Sequence, residues 1–458
     1  MMYHTQSLLD CGLTTSVIAY RGSTPLHTLV THPSCKFVYL PTPLAVTSRL
    51  PRPFFLLLAP LKVALGALSL LWAVLWRLEY TPQYILVQNP PSIPTLPILQ
   101  FAVSLTGSKL VIDWHNTGYS MLSLRLGRRH PVVRIARSIE LAFGRKAYAH
   151  FGLVKEFYDR PPPEFRRLDA KEAHEFFSNE KTFASDDGLK HFVDPPAGST
   201  LFTTTTSDGV CVFRPNRPAL VVSATSWTAD EDFNLLLESL SLYDKAAGSV
   251  NTGKGGVPGT QGQNSLPKLV VVVTGKGTLR EGFERRVKDL ERGWKWVRVR
   301  TAWLAIQDYP KLLGSADLGV SLHTSTSGSD LPMKVVDMFG CDLPVCALNF
   351  ACLHELVKHG QNSLSFETAQ DLANSFIDLL RLATTTTTTT GLARPSNKQE
   401  QLNETYPLTR KLDDLKRGIR TVKYGQEESG KQQDKAEKTT RWRDWKTNWN
   451  DIVRPLFI

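Results

Sequence analysis

The chain has 458 residues, 42% of them hydrophobic, with a formal net charge of +11, a length and composition that support two or three domains with real cores. The charge is uneven: residues 1–150 carry 14 Lys and Arg against 4 Asp and Glu, and residues 151–390 carry 25 against 29. No dense basic run with interleaved aromatics occurs in the first third, which argues against nucleic acid and for anionic lipid or a pyrophosphate-bearing ligand.

In chain order, residues 2–12 read as a helix, and residues 14–20 and 36–40 as short strands. Residues 1–20 lack the basic start and apolar core of a signal peptide. The apolar stretch 54–76 reaches spanning length but is interrupted by Pro60 and Lys62 and ended by Arg77. It admits three readings, a transmembrane helix, a helix lying in the membrane interface and a buried helix, and the Trp72 and Trp76 pair beside Arg77 favours the interface. Residues 84–88 and 109–113 read as buried strands, with a helix at 99–105 between them and another at 134–150, so a parallel sheet is expected. Residues 159–217 read as a polar linker or insertion. A second α/β region follows, with strands at 220–224, 269–275, 297–300, 318–323 and 344–348, and a Gly/Ser/Gln-rich flexible insertion at 245–267. Beyond it come a threonine tract at 384–390, one helix at 408–422, and a stripe of Trp442, Trp445, Trp449 and Val453 at helical spacing that must be buried on one of the domains.

Ligands of parallel α/β domains bind at the carboxyl ends of their strands. In the second region these ends offer Thr225-Ser226-Trp227-Thr228, then Gly275-Lys276-Gly277, then Trp303-Leu304. The fourth is the loop 324–330 that opens onto a short helix. There Pro332 suits a first turn, Asp330 or Ser329 can cap it, and the N–H groups of Leu331, Pro332's successors Met333 and Lys334 can meet a phosphate. Lys334 and Asp337 lie three apart on one helix face, able to meet phosphate and sugar hydroxyls; a capped helix with a surface ion pair is the plainer reading. In the first domain Asp113 and His115 stand two apart at a strand end, a carboxylate and an imidazole suited to general-base chemistry. Asp230 and Asp232 read as first-turn acids rather than a metal pair, no spacing suits zinc, and no glycine-rich dinucleotide fingerprint or P-loop occurs. The six cysteines form no CxxC pair, which favours free thiols in a reducing compartment, and the lone sequon at Asn403 lies in a polar tail.

The segments DWHNTGYS (113–120), VVSATSWTADEDFNLLLESL (221–240), VTGKGTLRE (273–281), AWLAIQDYPKLLGSADLGVSLHTSTSGSDLPMKVVDMFGCDLPVC (302–346) and CLHELVKHGQNSLSFE (352–367) together resemble the chitobiosyldiphosphodolichol β-mannosyltransferases. The resemblance implies an α/β fold of two Rossmann-like domains facing each other across a cleft, the glycosyltransferase B architecture. It implies an inverting β-1,4-mannosyltransferase with GDP-mannose as donor and dolichyl-diphosphate-linked chitobiose as acceptor, working at the endoplasmic reticulum membrane with its catalytic domains facing the cytosol. No cofactor is implied and no divalent ion is indicated. Other mannosyltransferases of the dolichol pathway are the candidate protein partners.

Carried over by position, Lys276 and the helix start from Gly328 and Asp330 through Leu331, Pro332, Met333 and Lys334 would hold the diphosphate. Asp337 would meet the ribose, Ser226 would line the donor site, Trp303 and Leu304 would flank the guanine, and His354 and Glu355 would lie near the donor sugar. Asp113 and His115 would be base and partner. The family normally starts with a hydrophobic anchor, a first strand and a Gly-Asp-x-Gly-Arg-Ser loop, whereas this chain starts inside the following helix, and a second gap is expected at 149–155. The N-terminal domain is therefore expected to be truncated, with exposed sheet edges and an incomplete acceptor cleft. The expected division is an acceptor domain at 1–158, a linker at 159–217, a donor domain at 218–382, a tail at 383–440 and a returning helix at 441–458. Two other readings remain open, another GDP-mannose-dependent transferase on a lipid-linked acceptor and a non-catalytic nucleotide-sugar-binding remnant.

Overall fold

The computed structural model describes residues 1–22, 24–41, 52–114, 117–127, 129–151, 161–228, 231–252, 265–324, 331–382, 409–424 and 445–458. The chain divides into two compact units, one of residues 1–158 with 445–458 and the other of residues 159–444. Both are α/β, as the sequence leads one to expect.

The first unit contains α1 (Met2–Asp10), β1 (Thr15–Tyr20), α2 (His27–Val30), β2 (Cys35–Leu40), α3 (Arg52–Trp72), β3 (Tyr84–Asn89), α4 (Thr95–Thr106), β4 (Lys109–Trp114), α5 (Gly118–Leu126), α6 (Pro131–Gly144) and β5 (Ala149–Phe151). A π-helical turn, Ala73–Arg77, continues α3. The strands form two parallel sheets, β1-β2 and β3-β4-β5. The expected helix at 134–150 ends at Gly144. The position expected as a gap carries the strand β5, paired with β4, because Phe151 is wholly buried beside Val111. Residues 152–155 lie outside those described.

The C-terminal helix Trp445–Ile452 belongs to this unit. Trp449 and Val453 are 1% and 0% exposed among Leu8, Val111 and Phe151, while Trp442 of the expected stripe lies outside the described residues.

The second unit contains α7 (Ala170–Asn179), α8 (Lys181–Ala184), α9 (Asp187–Val193), β6 (Thr203–Thr205), β7 (Cys211–Phe213), β8 (Ala219–Ala224), α10 (Phe233–Thr252), β9 (Leu269–Thr274), α11 (Arg280–Glu291), β10 (Val297–Ala302), α12 (Tyr309–Ser315), β11 (Leu318–Ser321), α13 (Met333–Gly340), β12 (Val345–Leu348), β13 (Leu364–Phe366) and α14 (Ala369–Leu380), with a further helix at Arg410–Tyr424. Its main sheet is parallel, in the order β10-β9-β8-β11-β12-β13. Strand order reverses between the neighbours β8 and β11, which is the switch point of a doubly wound sheet.

Both faces of this sheet are covered, which is why its strands read as unbroken apolar runs. Leu220, Val222 and Val270 face one core with residues of α7 to α9, and Val221, Val271 and Leu318 face the other with residues of α10, α11 and α14. Residues 161–217 are thus a packed layer and not a linker. Their average polarity hides Phe165, Phe176, Phe177, Phe183, Phe192, Phe202 and Phe213, all in the first core. Nor is 245–267 wholly an insertion, since α10 runs to Thr252 and Leu266 is 1% exposed, while 253–264 lies outside the described residues.

At the amino ends of the two switch-point strands, Arg217 meets Asp317 through two hydrogen bonds of 2.6 Å, and Leu220 N donates to the same carboxylate at 2.8 Å. Burial opposes charge on Asp317, and the Arg217 guanidinium overcomes it, holding the carboxyl below the usual range. This pair pins β8 beside β11.

Candidate functional site

At the carboxyl ends of β8 and β9 two loops meet backbone to backbone. A Cβ on Gly275, whose φ is +141°, would lie 1.9 Å from Thr225 O, and one on Gly277 would lie 2.4 Å from Ser226 O. The glycines of the Gly-Lys-Gly segment therefore let this loop approach residues 225–227. Trp227 adopts φ 52° and is wholly buried, its ring stacked on Phe233 at 4.7 Å. Ser226 and Lys276 are left exposed beside it. The Lys276 ammonium lies 5.9 Å from the centre of the Trp303 ring, which is 65% exposed. An open aromatic face beside a cation suits a base next to a phosphate.

The residue that ties the switch point together is Glu231. Its carboxylate accepts from the Thr225 hydroxyl, from Ser226 N at 3.1 Å and from Lys334 Nζ at 2.8 Å, and its backbone makes an isolated bridge to His323 after β11. One residue thus joins the β8 loop and α13 through its buried carboxylate and the residue after β11 through its backbone. Sequence reasoning missed it because nothing in the run Asp230-Glu231-Asp232 marks the middle acid as the buried one.

Helix α13 starts one residue later than Pro332 at N1 would give. Pro332 is its N-cap, with φ −73° and ψ 105°, and among the described residues no side chain caps the first-turn amides. Leu331 packs partly into the core and Met333 is exposed. Gly328 and Asp330 lie outside the described residues. Lys334 and Asp337, expected to project together, have different partners. Lys334 turns to Glu231, and Asp337 faces the Tyr309 hydroxyl at 3.5 Å. Burial, with the Asp337 charge second, pushes the Tyr309 phenol well above its ordinary value, so Tyr309 stays a neutral donor. His354 and Glu355 lie in an exposed 3₁₀ turn after β12, where His354 Nδ1 is 2.9 Å from Ala351 O.

In the first unit Asp113 is the penultimate residue of β4 and is 6% exposed. His4 of α1 stands with Nε2 3.5 Å from Asp113 Oδ2, and its Nδ1 accepts from Trp449 Nε1 at 3.1 Å. His115 lies outside the described residues. The start of α5 is held by Glu140, 1% exposed, whose carboxylate accepts from Gly118 N at 3.0 Å, Tyr119 N at 3.1 Å and Asn89 Nδ2 at 3.1 Å. His4, Trp449 and Glu140 were not legible as site residues, since they come from parts of the chain distant from Asp113. Among the described residues no three His, Cys, Asp or Glu side chains converge as a metal cage requires.

Residues 259–382 match the family model of the glycosyl transferases group 1. The chitobiosyldiphosphodolichol beta-mannosyltransferase of Homo sapiens is 40% identical over 390 residues, covering 81% of this chain and 80% of that one. The UDP-glycosyltransferase TURAN of Arabidopsis thaliana is 39% identical over 403 residues, covering 83% and 86%. Among solved structures, sucrose-phosphate synthase from Thermosynechococcus elongatus is similar with a TM-score of 0.50 at 11% identity, covering 100% of this chain and 93% of that one, a likeness of fold alone. The fold is that of the glycosyltransferase B architecture.

Proposed function

The chain belongs to the family of the chitobiosyldiphosphodolichol beta-mannosyltransferases, and from that premise we propose that it transfers mannose from GDP-mannose to dolichyl-diphosphate-linked chitobiose, forming a β-1,4 bond. It is a glycosyltransferase. The observation that carries the donor half is the switch point, where Lys334 at the start of α13 is tied through Glu231 to the β8 loop that the Gly275-Lys276-Gly277 segment packs against. That arrangement suits a nucleoside diphosphate, with Asp337 on the ribose and Trp303 on the base.

The transfer inverts the sugar. The acceptor 4-hydroxyl oxygen bonds to the anomeric carbon of mannose as the bond from that carbon to phosphate breaks, and the electron pair leaves with GDP. The hydroxyl proton passes to a base, for which Asp113 is the candidate. Lys276, Lys334 and the α13 amides stabilise the leaving diphosphate.

The finer localisation, the membrane of the endoplasmic reticulum on its cytosolic side, rests on the dolichol acceptor and on α3. Among the described residues no helix is long and apolar enough to cross a membrane. Leu61, Leu65, Leu68, Trp72 and Trp76 fall at helical spacing and are 49%, 40%, 63%, 47% and 67% exposed, while Leu70, Leu71 and Val74 pack inward. Arg77 lies 5.0 Å over the Trp72 ring at the end of this stripe. An exposed apolar stripe ending in tryptophans and a cation, on the basic third of the chain, fits a helix lying in a lipid interface.

The Arabidopsis relative, a UDP-glycosyltransferase by name, favours a second reading, a transferase of this architecture using a UDP-sugar. Competition between GDP-mannose and UDP-sugars in a transfer assay to a chitobiosyl-diphosphate lipid separates the two.

A further inference from the structure

Asp113 is met by His4, and His4 in turn by Trp449. His4 comes from α1 and Trp449 from the C-terminal helix, and Asp113, His4 and Trp449 are 6%, 2% and 1% exposed as residues. The two helices are joined a second time by Trp445, whose Nε1 donates to Ser7 Oγ at 2.9 Å. Two indole N–H groups at i and i+4 of one helix thus meet residues at i and i+3 of the other.

The hydrogen-bond directions decide what His4 does. An indole N–H can only donate, so His4 Nδ1, 3.1 Å from Trp449 Nε1, must accept and carries no proton. The imidazole is then the Nε2–H form, and that N–H faces Asp113 Oδ2 at 3.5 Å. With both ring nitrogens engaged, His4 is poorly placed to take a substrate proton. What it can do is hold the carboxylate. Around the ring, β4 supplies Asp113, β5 supplies Phe151 stacked at 6.2 Å, and the C-terminal helix supplies Trp445 edge-on at 5.0 Å. Aromatic packing fixes the plane of the imidazole and the indole N–H fixes its tautomer, so the one remaining donor is aimed at one carboxylate oxygen.

We infer that Trp449 and His4 form a positioning relay that sets the orientation of Asp113, making the C-terminal helix part of the catalytic apparatus of the first unit. The inference rests on the reading of Asp113 as the base. A neutral donor orients the carboxylate without placing a cation against it.

The test uses the full-length chain labelled with ¹⁵N-histidine. Long-range ¹H–¹⁵N spectra of the wild type are expected to show His4 protonated at Nε2 only; a proton on Nδ1 overturns the relay whatever the kinetics show. In Trp449→Phe, which keeps an aromatic ring and loses the N–H, His4 should lose its single tautomer. His4→Leu should lower kcat about 10- to 100-fold, the loss expected for a hydrogen bond to a charged group, with KM for the donor unchanged. His4→Gln, whose amide keeps one acceptor and one donor, should return kcat to within about threefold of wild type. Wild-type kcat in His4→Leu, with Asp113→Asn inactive, overturns the relay alone. Full turnover in Asp113→Asn overturns the base assignment and the relay with it.

Discussion

Glu231 and Lys334, 103 positions apart in the chain, form an ion pair of 2.8 Å at the strand-order reversal of the second unit, with the Glu231 side chain 2% exposed and that of Lys334 27%. The lysine that would meet a diphosphate is therefore already aimed, and the carboxylate that aims it also holds the β8 loop through Thr225 and Ser226. Removing the carboxylate leaves a donor hydroxyl, a backbone N–H and an ammonium without their partner. Glu231→Ala should cost about 2–4 kcal/mol of stability in urea unfolding, and a loss below about 1 kcal/mol would show that the hub does not hold the site.

The approach of the β9 loop to the β8 loop depends on having no Cβ at Gly275. Gly275→Ala puts a methyl group 1.9 Å from a carbonyl oxygen at a backbone φ that side chains rarely adopt, so the loop must move. The expected result is a loss of about 2–4 kcal/mol together with weaker GDP binding by calorimetry. Unchanged binding would separate the loop from the donor site.

The second unit was largely legible because its buried strands announce themselves as unbroken Val and Leu runs, and because Gly-Lys-Gly and the Leu331–Asp337 stretch sit at strand ends. What could not be read was tertiary in origin. The layer at 161–217 hid its phenylalanines among polar residues at no single period, since α7, α8 and α9 are short and each buries only a few side chains. Glu231, Tyr309 and His4 matter through partners 103, 28 and 109 positions away, and no spacing rule links such residues. Lys334 and Asp337 show the opposite failure. They share a helix face as their spacing requires, yet each is drawn to a different neighbour.

Lys416 gives the second unit a pH signature. Burial, reinforced by the nearby Arg167 charge, lowers its ammonium pKa to about 8. Because the folded value lies below the free-lysine value of about 10.4, the unfolded chain binds more protons between the two. Stability should therefore rise as pH goes from about 8 to about 10, by roughly 1–3 kcal/mol from this group. Lys416→Met should be more stable than wild type at pH 7, and the difference should shrink across that window. A constant difference would mean that the Lys416 ammonium is not held away from water.

The stripe on α3 predicts lipid binding with an apolar and an electrostatic part. Leu68, 63% exposed, is the test position, since its substitution disturbs little inside the protein. Leu68→Glu should weaken binding to vesicles of mixed neutral and anionic lipid by about tenfold or more in a flotation assay, and raised salt should weaken wild-type binding further. Equal flotation of the variant and wild type would remove α3 from the interface.

The central claim is met most directly by transfer itself. With labelled GDP-mannose and a chitobiosyl-diphosphate lipid, the protein should yield a lipid-linked trisaccharide whose new mannose a β-mannosidase removes, and Lys334→Ala should lower kcat/KM by about 10- to 100-fold, the loss expected for one charged contact to the leaving diphosphate. A protein that binds GDP but gives no labelled trisaccharide, or one that transfers equally well from a UDP-sugar, would contradict the account.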